Sequence, residues 1–408
     1  MKILFLDQSG QLGGAELCLT EIAKPYRDRC LVCLFTDGPF RQALEQEHIP
    51  VQILATQPLQ VRKDSGWVQG ISSLRQLLPL VARVVQLSRE FDLIYANTQK
   101  ALVVGALASL ISRRPLVYHL HDILSLEHFS PTNRQLAVTL ANRCASRVFA
   151  TSEAAQAAFI QAGGCPERVE VVYNGFDPTL YQCDRAQTER IKQELGLQSK
   201  FLVGHFSRLS PWKGQHVLLK ALQYCAEDVT AIFVGDALYG EQAYAQELHS
   251  QVAELGLQER ARFLGFRYDV VPLMYACDAI AHTSIAPEPF GRVIAEAMLC
   301  ERPVIAAQAG GAVELIEPGV TGLLVPPEDS ETLASAINFC RKQQEWVRAI
   351  AQKAKIQASQ RFHQNAINRQ IAHLLDQIPI HTQSKPKARE HLKEPQSLIP
   401  PNPLNKGG

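Results

Sequence analysis

The chain has 408 residues, of which 46% are hydrophobic, so it is long and apolar enough to build two cores. Its 41 Lys and Arg residues balance 40 Asp and Glu residues. This balance argues against nucleic acid as a partner and does not support a strong electrostatic hold on an anionic membrane, although a local patch for peripheral membrane contact stays open. The ten cysteines are scattered through apolar segments, as is typical of a reduced, cytoplasmic protein.

Two further patterns bear on location and on metal binding. The N-terminus runs straight into the strand-like residues 3–6, which does not resemble a secretory leader, and the longest apolar run, residues 101–111, is too short to span a bilayer. Cys30 and Cys33 form the single C-x-x-C pair and both fall inside a strand-like segment. We interpret them as core thiols because no second pair completes a zinc site.

Strand-like and helix-like segments alternate along the chain, which predicts an α/β protein with two parallel-sheet domains. We place these Rossmann-like domains at residues 1–180 and 181–360, with an interdomain linker near 178–188. A helix at 361–378 is expected to pack back on the first domain. Residues 379–408 are rich in Pro, Lys and Gln with little apolar content, so we expect a disordered tail.

The expected strands share short apolar runs bounded by turn residues. They are residues 3–7, 31–35, 51–54, 92–96, 116–119, 147–151, 170–172, 201–206, 229–235, 262–265, 278–282 and 303–306. Helical spacing is clearest at residues 67–89, 331–340 and 344–361, and the first of these is expected to pack on the sheet rather than on a membrane. Residues 319–327 are interpreted as a short hairpin-like return.

Two glutamates flank the start of one predicted helix. Glu288 stands between two prolines and must lie in an extended loop, while apolar residues recur at helical spacing from about Gly291 and leave Glu296 on another face. Eight residues of helix separate the two carboxylates by about 12 Å at most, which suits two parts of one extended ligand. A phosphate is expected at the helix start, on the N–H groups of Phe290, Gly291 and Arg292.

Other polar residues follow predicted strands, where ligands of open α/β sheets bind. The pair Gly13-Gly14 forms a strand-to-helix turn that lets backbone N–H groups approach a phosphate, although its spacing departs from G-x-G-x-x-G. His121 follows the strand near residue 119, and His119 is its competitor on the same face. Arg208 and Lys213 flank the start of a helix in the second half and could equally be surface cations.

The segment Pro-Glu-Pro-Phe-Gly at 287–291, followed by Glu-Ala-Met at 296–298, resembles the Glu-x7-Glu motif of the retaining glycosyltransferases of family GT4. Taken without these neighbours, the two glutamates would be a helix-terminal charge and a solvated carboxylate. The family shares the two-domain GT-B fold. The His-Asp pair at 121–122 and the Asn-Gly-Phe-Asp segment at 174–177 are similar to the family as well.

The resemblance implies transfer of a sugar from a nucleotide diphosphate donor to an acceptor hydroxyl, with retention and without a metal or cofactor; no Asp-x-Asp is available to hold a metal. It implies that His121 and Glu288 contact the donor sugar and that Glu296 binds the ribose. Arg208 and Lys213 would hold the diphosphate, which Gly13 and Gly14 would approach from the other domain. Gly235 and Arg267 would lie around the base and the ribose. Acceptors are expected to reach Asn97, Thr98, Glu127 and His128.

Alternatives remain at this stage. A nucleotide-sugar epimerase or hydrolase would use the same architecture, and a non-catalytic sugar-binding protein is the rival from another class. A dehydrogenase is disfavoured because G-x-G-x-x-G is absent. Whether Glu288 acts as a nucleophile or positions the sugar is open, as are the donor base, the sugar, the acceptor and the oligomeric state.

Overall fold

A computed structural model describes residues 1–54, 67–127, 129–238 and 240–380, with residues 67–76 described by their backbone alone. His128 and residues 381–408, most of the predicted tail, lie outside this part of the chain. The described residues form two parallel β-sheets of seven and six strands with helices packed around them. No helix in the described ranges is both long and apolar enough to cross a bilayer.

The first sheet is parallel throughout and has the strand order β3-β2-β1-β4-β5-β6-β7. Its strands are β1 (Ile3–Asp7), β2 (Cys30–Leu34), β3 (Val51–Ile53), β4 (Leu93–Ala96), β5 (Leu116–Leu120), β6 (Ala145–Ala150) and β7 (Val169–Val171). The helices of this half are α1 (Gly14–Ala23), α2 (Pro39–Gln46), α3 (Trp67–Ser88), α4 (Gln99–Ser112), α5 (Pro131–Cys144) and α6 (Glu153–Gln161). Cys30 and Cys33 are buried free thiols within β2.

The second sheet is also parallel, with the order β10-β9-β8-β11-β12-β13. Its strands are β8 (Phe201–Phe206), β9 (Val229–Val234), β10 (Ala261–Gly265), β11 (Ala279–His282), β12 (Val304–Ala307) and β13 (Leu323–Val325). The helices of this half are α7 (Arg185–Glu194), α8 (Gln215–Leu222), α9 (Gln242–Glu254), α10 (Val270–Ala276), α11 (Arg292–Leu299), α12 (Ala312–Leu315), α13 (Ser330–Lys342) and α14 (Gln344–Arg361), and α15 (Gln364–Asp376) follows.

Both sheets reverse their strand order at one place, between β1 and β4 in the first and between β8 and β11 in the second. Loops that leave parallel strands at such a switch point diverge and open a crevice at the carboxyl edge of the sheet. The loops after β1 and β8 carry Gly13 and Lys213, and the loops after β4 and β11 carry Asn97 and Glu288. The expected α/β fold is confirmed, and its topology explains why distant motifs converge.

One local expectation is wrong. Residues 319–327 are not a hairpin: β13 lies parallel to β12, with Leu323 opposite Ile305, because its backbone groups extend the edge of the sheet. The placement of the linker at 178–188 stays a prediction, and α7 begins within that range at Arg185. Asp184 caps that helix by accepting the N–H of Gln187 at 2.7 Å. The polar composition of the segment before it did not reveal this helix start.

The chain crosses between the domains a second time just before α15. The N–H of Phe176 donates to the carbonyl of Phe362 at 2.8 Å, and the N–H of Gln364 donates back to Phe176 at 2.8 Å. Beyond this crossing α15 buries Ile367 and Ile371 in the cluster that contains β1. The last helix therefore belongs to the core of the first domain and fixes where the second domain is attached.

A carboxylate from the second domain caps a helix of the first. Glu314 on α12 accepts the N–H groups of Glu153 and Ala154 at 2.9 and 2.8 Å, at the start of α6. It also accepts the hydroxyl of Tyr173 at 3.1 Å. The first N–H groups of a helix have no partner within it and carry partial positive charge, so this contact stabilises one relative placement of the domains.

Replacing Glu314 by Ala is expected to reduce the free energy of unfolding by about 1 kcal/mol, because the N–H groups of Glu153 and Ala154 at the start of α6 lose their acceptor. Thermal unfolding followed by calorimetry measures the loss. Glu317→Ala, which removes an exposed acid of the same loop, is the matched control and should unfold like the parent chain. Equal melting of the two variants would show that the interdomain cap contributes nothing.

Candidate active site

The carboxyl edges of the two sheets face each other across a cleft of about 1540 Å³. The cleft is large enough for a nucleotide-sized ligand with part of a second substrate. It is lined by all twelve residues expected from the sequence, namely Gly13, Gly14, His121, Arg208, Lys213, Gly235, Arg267, Glu288, Phe290, Gly291, Arg292 and Glu296. Asn97, Thr98 and Glu127, where acceptors were expected, line it as well.

The centre of the second-domain wall is a buried ion pair. Lys213 Nζ donates to both carboxylate oxygens of Glu288, at 2.9 and 2.7 Å. The hydroxyl of Ser284 donates to Oε2 at 2.9 Å, and His282 Nε2 lies 3.3 Å from the same atom. Burial opposes ionisation of Glu288, but the charge of Lys213 and then the hydrogen bond with His282 hold its pKa well below the usual range. Glu288 is therefore ionised and its oxygens are occupied.

The Glu288 loop is held in place by its backbone. Glu288 pairs with Gly310 as an isolated bridge, and its carbonyl accepts the N–H of Gly311 at 2.7 Å. Gly310 has φ of +59°, and a Cβ there would lie 2.4 Å from the carbonyl oxygen of Glu288. The second glycine-rich turn of the sequence therefore serves to bring this loop and its carboxylate close to the sheet.

Trp212 is a cleft residue that motif comparison did not single out. Lys213 Nζ lies 4.0 Å from the centre of its ring, and the Arg208 guanidinium carbon lies 5.7 Å from that centre. Arg208 also reaches to 4.0 Å from Glu241. An aromatic face attracts cations, so Trp212 fixes the spacing of the two positive groups. The sequence offered one indication of this role, since Trp212 lies between Arg208 and Lys213 in the chain.

The start of α11 departs from a simple exposed helix end. Gly291 takes a left-handed conformation, with φ of 90°, and directs the chain into the helix. The side chain of Arg292 pairs with Glu296 at 3.3 Å and covers the ring of Phe176 at 4.5 Å, while its Nε and Nη1 have no hydrogen-bond partner among the residues that the structure describes. The ring of Phe290 is buried and contributes packing. Glu296 is thus already paired where a ribose contact was expected.

Hydrogen bonds hold His121 in the first-domain wall. The amide nitrogen of Asn97 donates to Asp7 Oδ2 at 2.7 Å, so its amide oxygen faces Nε2 of His121 at 2.9 Å. An oxygen acceptor there fixes the imidazole proton on Nε2 and leaves the lone pair on Nδ1. Burial, and then the charge of Arg292, lower the pKa of His121 to about 3. His119 is fully buried behind it, with the two rings 4.0 Å apart.

Glu16 is a second cleft residue that the motifs did not identify. A Cβ added to Gly13 would lie 2.7 Å from Glu16 Oε2, so this carboxyl already covers the glycine turn. Burial, and then the charge of Asp7, raise the pKa of Glu16 to about 8. Gly14 leaves room for the side chain of Arg292, because a Cβ added to Gly14 would lie 3.1 Å from Arg292 Cδ. An acid in the first turn of a helix is common, which is why Glu16 gave no signal.

Gly235 and Arg267 lie where β9 and β10 end. Gly235 has φ of +133°, and a Cβ would lie 2.0 Å from the carbonyl oxygen of Ser207, so only glycine lets these two loops touch. Arg267 pairs with Asp269, with Nε 2.7 Å from Oδ1, and lines the cleft in that paired state. These two residues shape the outer end of the second-domain wall.

Comparison with known proteins agrees with this geometry. Residues 187–357 match the family of glycosyl transferases group 1, and residues 13–175 match the glycosyl transferase 4-like domain. The D-inositol 3-phosphate glycosyltransferase of Corynebacterium efficiens is 30% identical over 291 residues, which are 64% of this chain and 68% of that protein. The chain belongs to the group 1 glycosyltransferases, and it is an enzyme of that class.

Two solved structures are similar over almost the whole chain. Alr3699/HepE of Anabaena, in complex with UDP-glucose, is 60% identical with a TM-score of 0.87, and the match covers 93% of this chain and 100% of that one. Sucrose-phosphate synthase from Thermosynechococcus elongatus is 20% identical with a TM-score of 0.78, covering 92% and 98%. The second likeness concerns the fold alone, and both support the GT-B architecture.

Replacing Asn97 by Asp is expected to raise the pKa of His121 from about 3, because a carboxylate facing Nε2 stabilises the imidazolium. Long-range proton–nitrogen NMR correlations report both the tautomer and the titration of the ring. The parent protein should keep the proton of His121 on Nε2, and the ring should stay neutral from about pH 8 to pH 5. Asn365→Asp, at an exposed position of α15, is the control. Identical titration of His121 in both variants would contradict the assignment.

Proposed function

We propose that this enzyme transfers glucose from UDP-glucose to an acceptor hydroxyl, with retention at the anomeric carbon and without a metal ion, as a step in polysaccharide, glycolipid or other glycoconjugate synthesis. The choice of donor rests on the similarity to Alr3699/HepE, whose structures contain UDP-glucose, UDP, and UDP with glucose. The reaction class rests on family membership and on the charges within the cleft.

One observation carries the proposal: the Lys213–Glu288 pair lies in the cleft together with Arg208 and with the neutral His121. A departing nucleotide diphosphate gains negative charge, which Lys213 and Arg208 are placed to balance. Donor binding would divide the ion pair, with the ammonium turning to the phosphates and the carboxylate to the sugar hydroxyls. His121 would accept a hydrogen bond from a hydroxyl of the sugar through Nδ1.

Glu288 is proposed to position the sugar rather than to attack it. Its Oε2 accepts the hydroxyl of Ser284 and lies 3.3 Å from His282 Nε2, contacts that do not depend on Lys213, and a carboxylate whose lone pairs are engaged is a poor nucleophile. The acceptor oxygen would then form its bond on the face from which the diphosphate leaves. The acceptor proton passes to the departing phosphate oxygen, so the charges balance without a protein base.

Replacing Lys213 by Ala is expected to lower kcat about a hundredfold or more, because charge developing on the leaving group loses its partner, while the Kd of UDP changes far less. Turnover of UDP-glucose and calorimetric titration with UDP measure the two effects. Lys220→Ala, at an exposed position on α8, is the matched control. Equal losses in turnover and in UDP affinity would refute the role of Lys213 at the transition state.

Turnover is expected to be the same before and after treatment with EDTA, because Arg208 and Lys213 supply the positive charge that a divalent ion would otherwise provide. The rate of UDP release from UDP-glucose, measured with and without the chelator, tests this. A loss that Mg²⁺ or Mn²⁺ restores would contradict metal independence.

Slow hydrolysis of UDP-glucose without an acceptor separates the remaining alternatives. A retaining transferase releases glucose first as its α-anomer, which proton NMR records before the anomers equilibrate. An inverting enzyme would release the β-anomer, and an epimerase would yield a new sugar nucleotide and no free sugar. Either result would overturn the proposal.

A further inference from the structure

Three side chains with metal-binding atoms meet behind the first-domain wall. Cys18 on α1, His119 in β5 and His121 just beyond that strand each place one ligand atom within 4.8 Å of the other two. Cys18 and His119 are buried, whereas His121 lines the cleft. The cluster therefore joins the core of the first domain to the surface that faces the donor.

Each histidine has one ring nitrogen, here called the outer nitrogen, that is hydrogen-bonded to an oxygen. His119 Nδ1 lies 2.8 Å from the hydroxyl of Tyr95, and His121 Nε2 lies 2.9 Å from the amide oxygen of Asn97. The remaining nitrogen of His119, Nε2, is buried and has no hydrogen-bond partner within the described part of the chain. Metal-binding histidines are commonly held in this way, with the outer N–H given to an oxygen and the inner lone pair left for the metal.

We propose that Cys18, His119 and His121 form a binding site for a soft cation such as Zn²⁺, and that an ion bound there inhibits the enzyme. One thiolate and two imidazoles are a donor set that Zn²⁺ and Cu⁺ favour over Mg²⁺ or Ca²⁺. Zinc bonds of about 2.0 to 2.3 Å in a tetrahedral arrangement require the ligand atoms to be about 3.5 Å apart. The ligand atoms lie within 4.8 Å of one another, so the three side chains must move closer together when the ion binds.

Binding must release a proton. Burial raises the pKa of the Cys18 thiol to about 12, and among the groups that act on it the charge of Arg292 lowers this pKa while that of Glu21 raises it. The same Arg292 lowers the pKa of His121, which keeps its imidazole neutral.

Inhibition follows from the shared histidine and rests on the proposed function. A cation bound to Nδ1 of His121 takes the lone pair that would accept a hydrogen bond from a hydroxyl of the donor sugar. The positive charge of the ion also adds to that of Arg292 on the same wall. Zn²⁺ should therefore compete with UDP-glucose and not with the acceptor.

The site is tested first without any activity measurement, by titrating the full, untagged chain with Co²⁺. The expected result is one equivalent bound with the near-ultraviolet absorption of a thiolate–cobalt bond. Cys18→Ser should abolish that absorption, and His119→Gln should weaken Co²⁺ binding at least about tenfold. Cys165→Ser, at a half-buried thiol outside the cluster, should keep it. Absence of the absorption in the parent chain, or its survival in Cys18→Ser, would overturn the site.

The consequence for activity is tested with Zn²⁺ and EDTA. Zn²⁺ should inhibit UDP-glucose turnover by the parent chain, EDTA should restore it, and Cys18→Ser should need at least about tenfold more Zn²⁺ for the same inhibition. Equal inhibition of the two proteins would overturn the inhibitory role. If the chain fails to turn over UDP-glucose at all, the proposed function fails, while the cobalt titration still decides the metal site.

Discussion

The arrangement of the whole molecule depends on an aromatic contact at the crossing between the domains. Phe176 stacks on Phe290 with ring centres 6.2 Å apart, and Phe362 meets Phe290 edge-on at 5.5 Å. The three rings come from the end of the first domain, the Glu288 loop and the return to α15. Aromatic rings prefer particular packing geometries, so this contact holds the Glu288 loop at the place where the chain crosses between the domains.

The two walls of the cleft differ in their electrostatics. The second-domain wall holds charge in pairs, with Lys213 against Glu288 and Arg292 against Glu296. On the first-domain wall two titratable groups are shifted toward their neutral forms, since burial lowers the pKa of His121 to about 3 and raises that of Glu16 to about 8. Neutral hydrogen-bonding groups of this kind can approach an anionic donor without repelling it, while the paired wall can release a cation toward it.

The sequence motifs placed the twelve expected catalytic and donor-binding residues in the cleft because the motifs lie on strand-to-helix loops and on the first turns of the helices that follow, and parallel strands bring such loops to one edge of a sheet. What the motifs missed depends on contacts between distant segments. Glu314 accepts hydrogen bonds from two N–H groups of α6 that lie 161 and 160 positions away in the chain. Trp212 and Glu16 gain their roles from neighbours that no local pattern reveals.

The sequence by itself determined the alternating α/β architecture, the presence of two parallel-sheet domains and the chemical types of the residues in the cleft, since these depend on local periodicity and on turn residues such as Gly13 and Gly291. Only the tertiary structure decided how those residues are used. It paired Lys213 with Glu288, fixed the tautomer of His121 through Asn97, and made the segment around Leu323 a parallel strand rather than a hairpin. The physical reason is that hydrogen bonds and ion pairs form between atoms a few ångströms apart in space, whatever their separation along the chain.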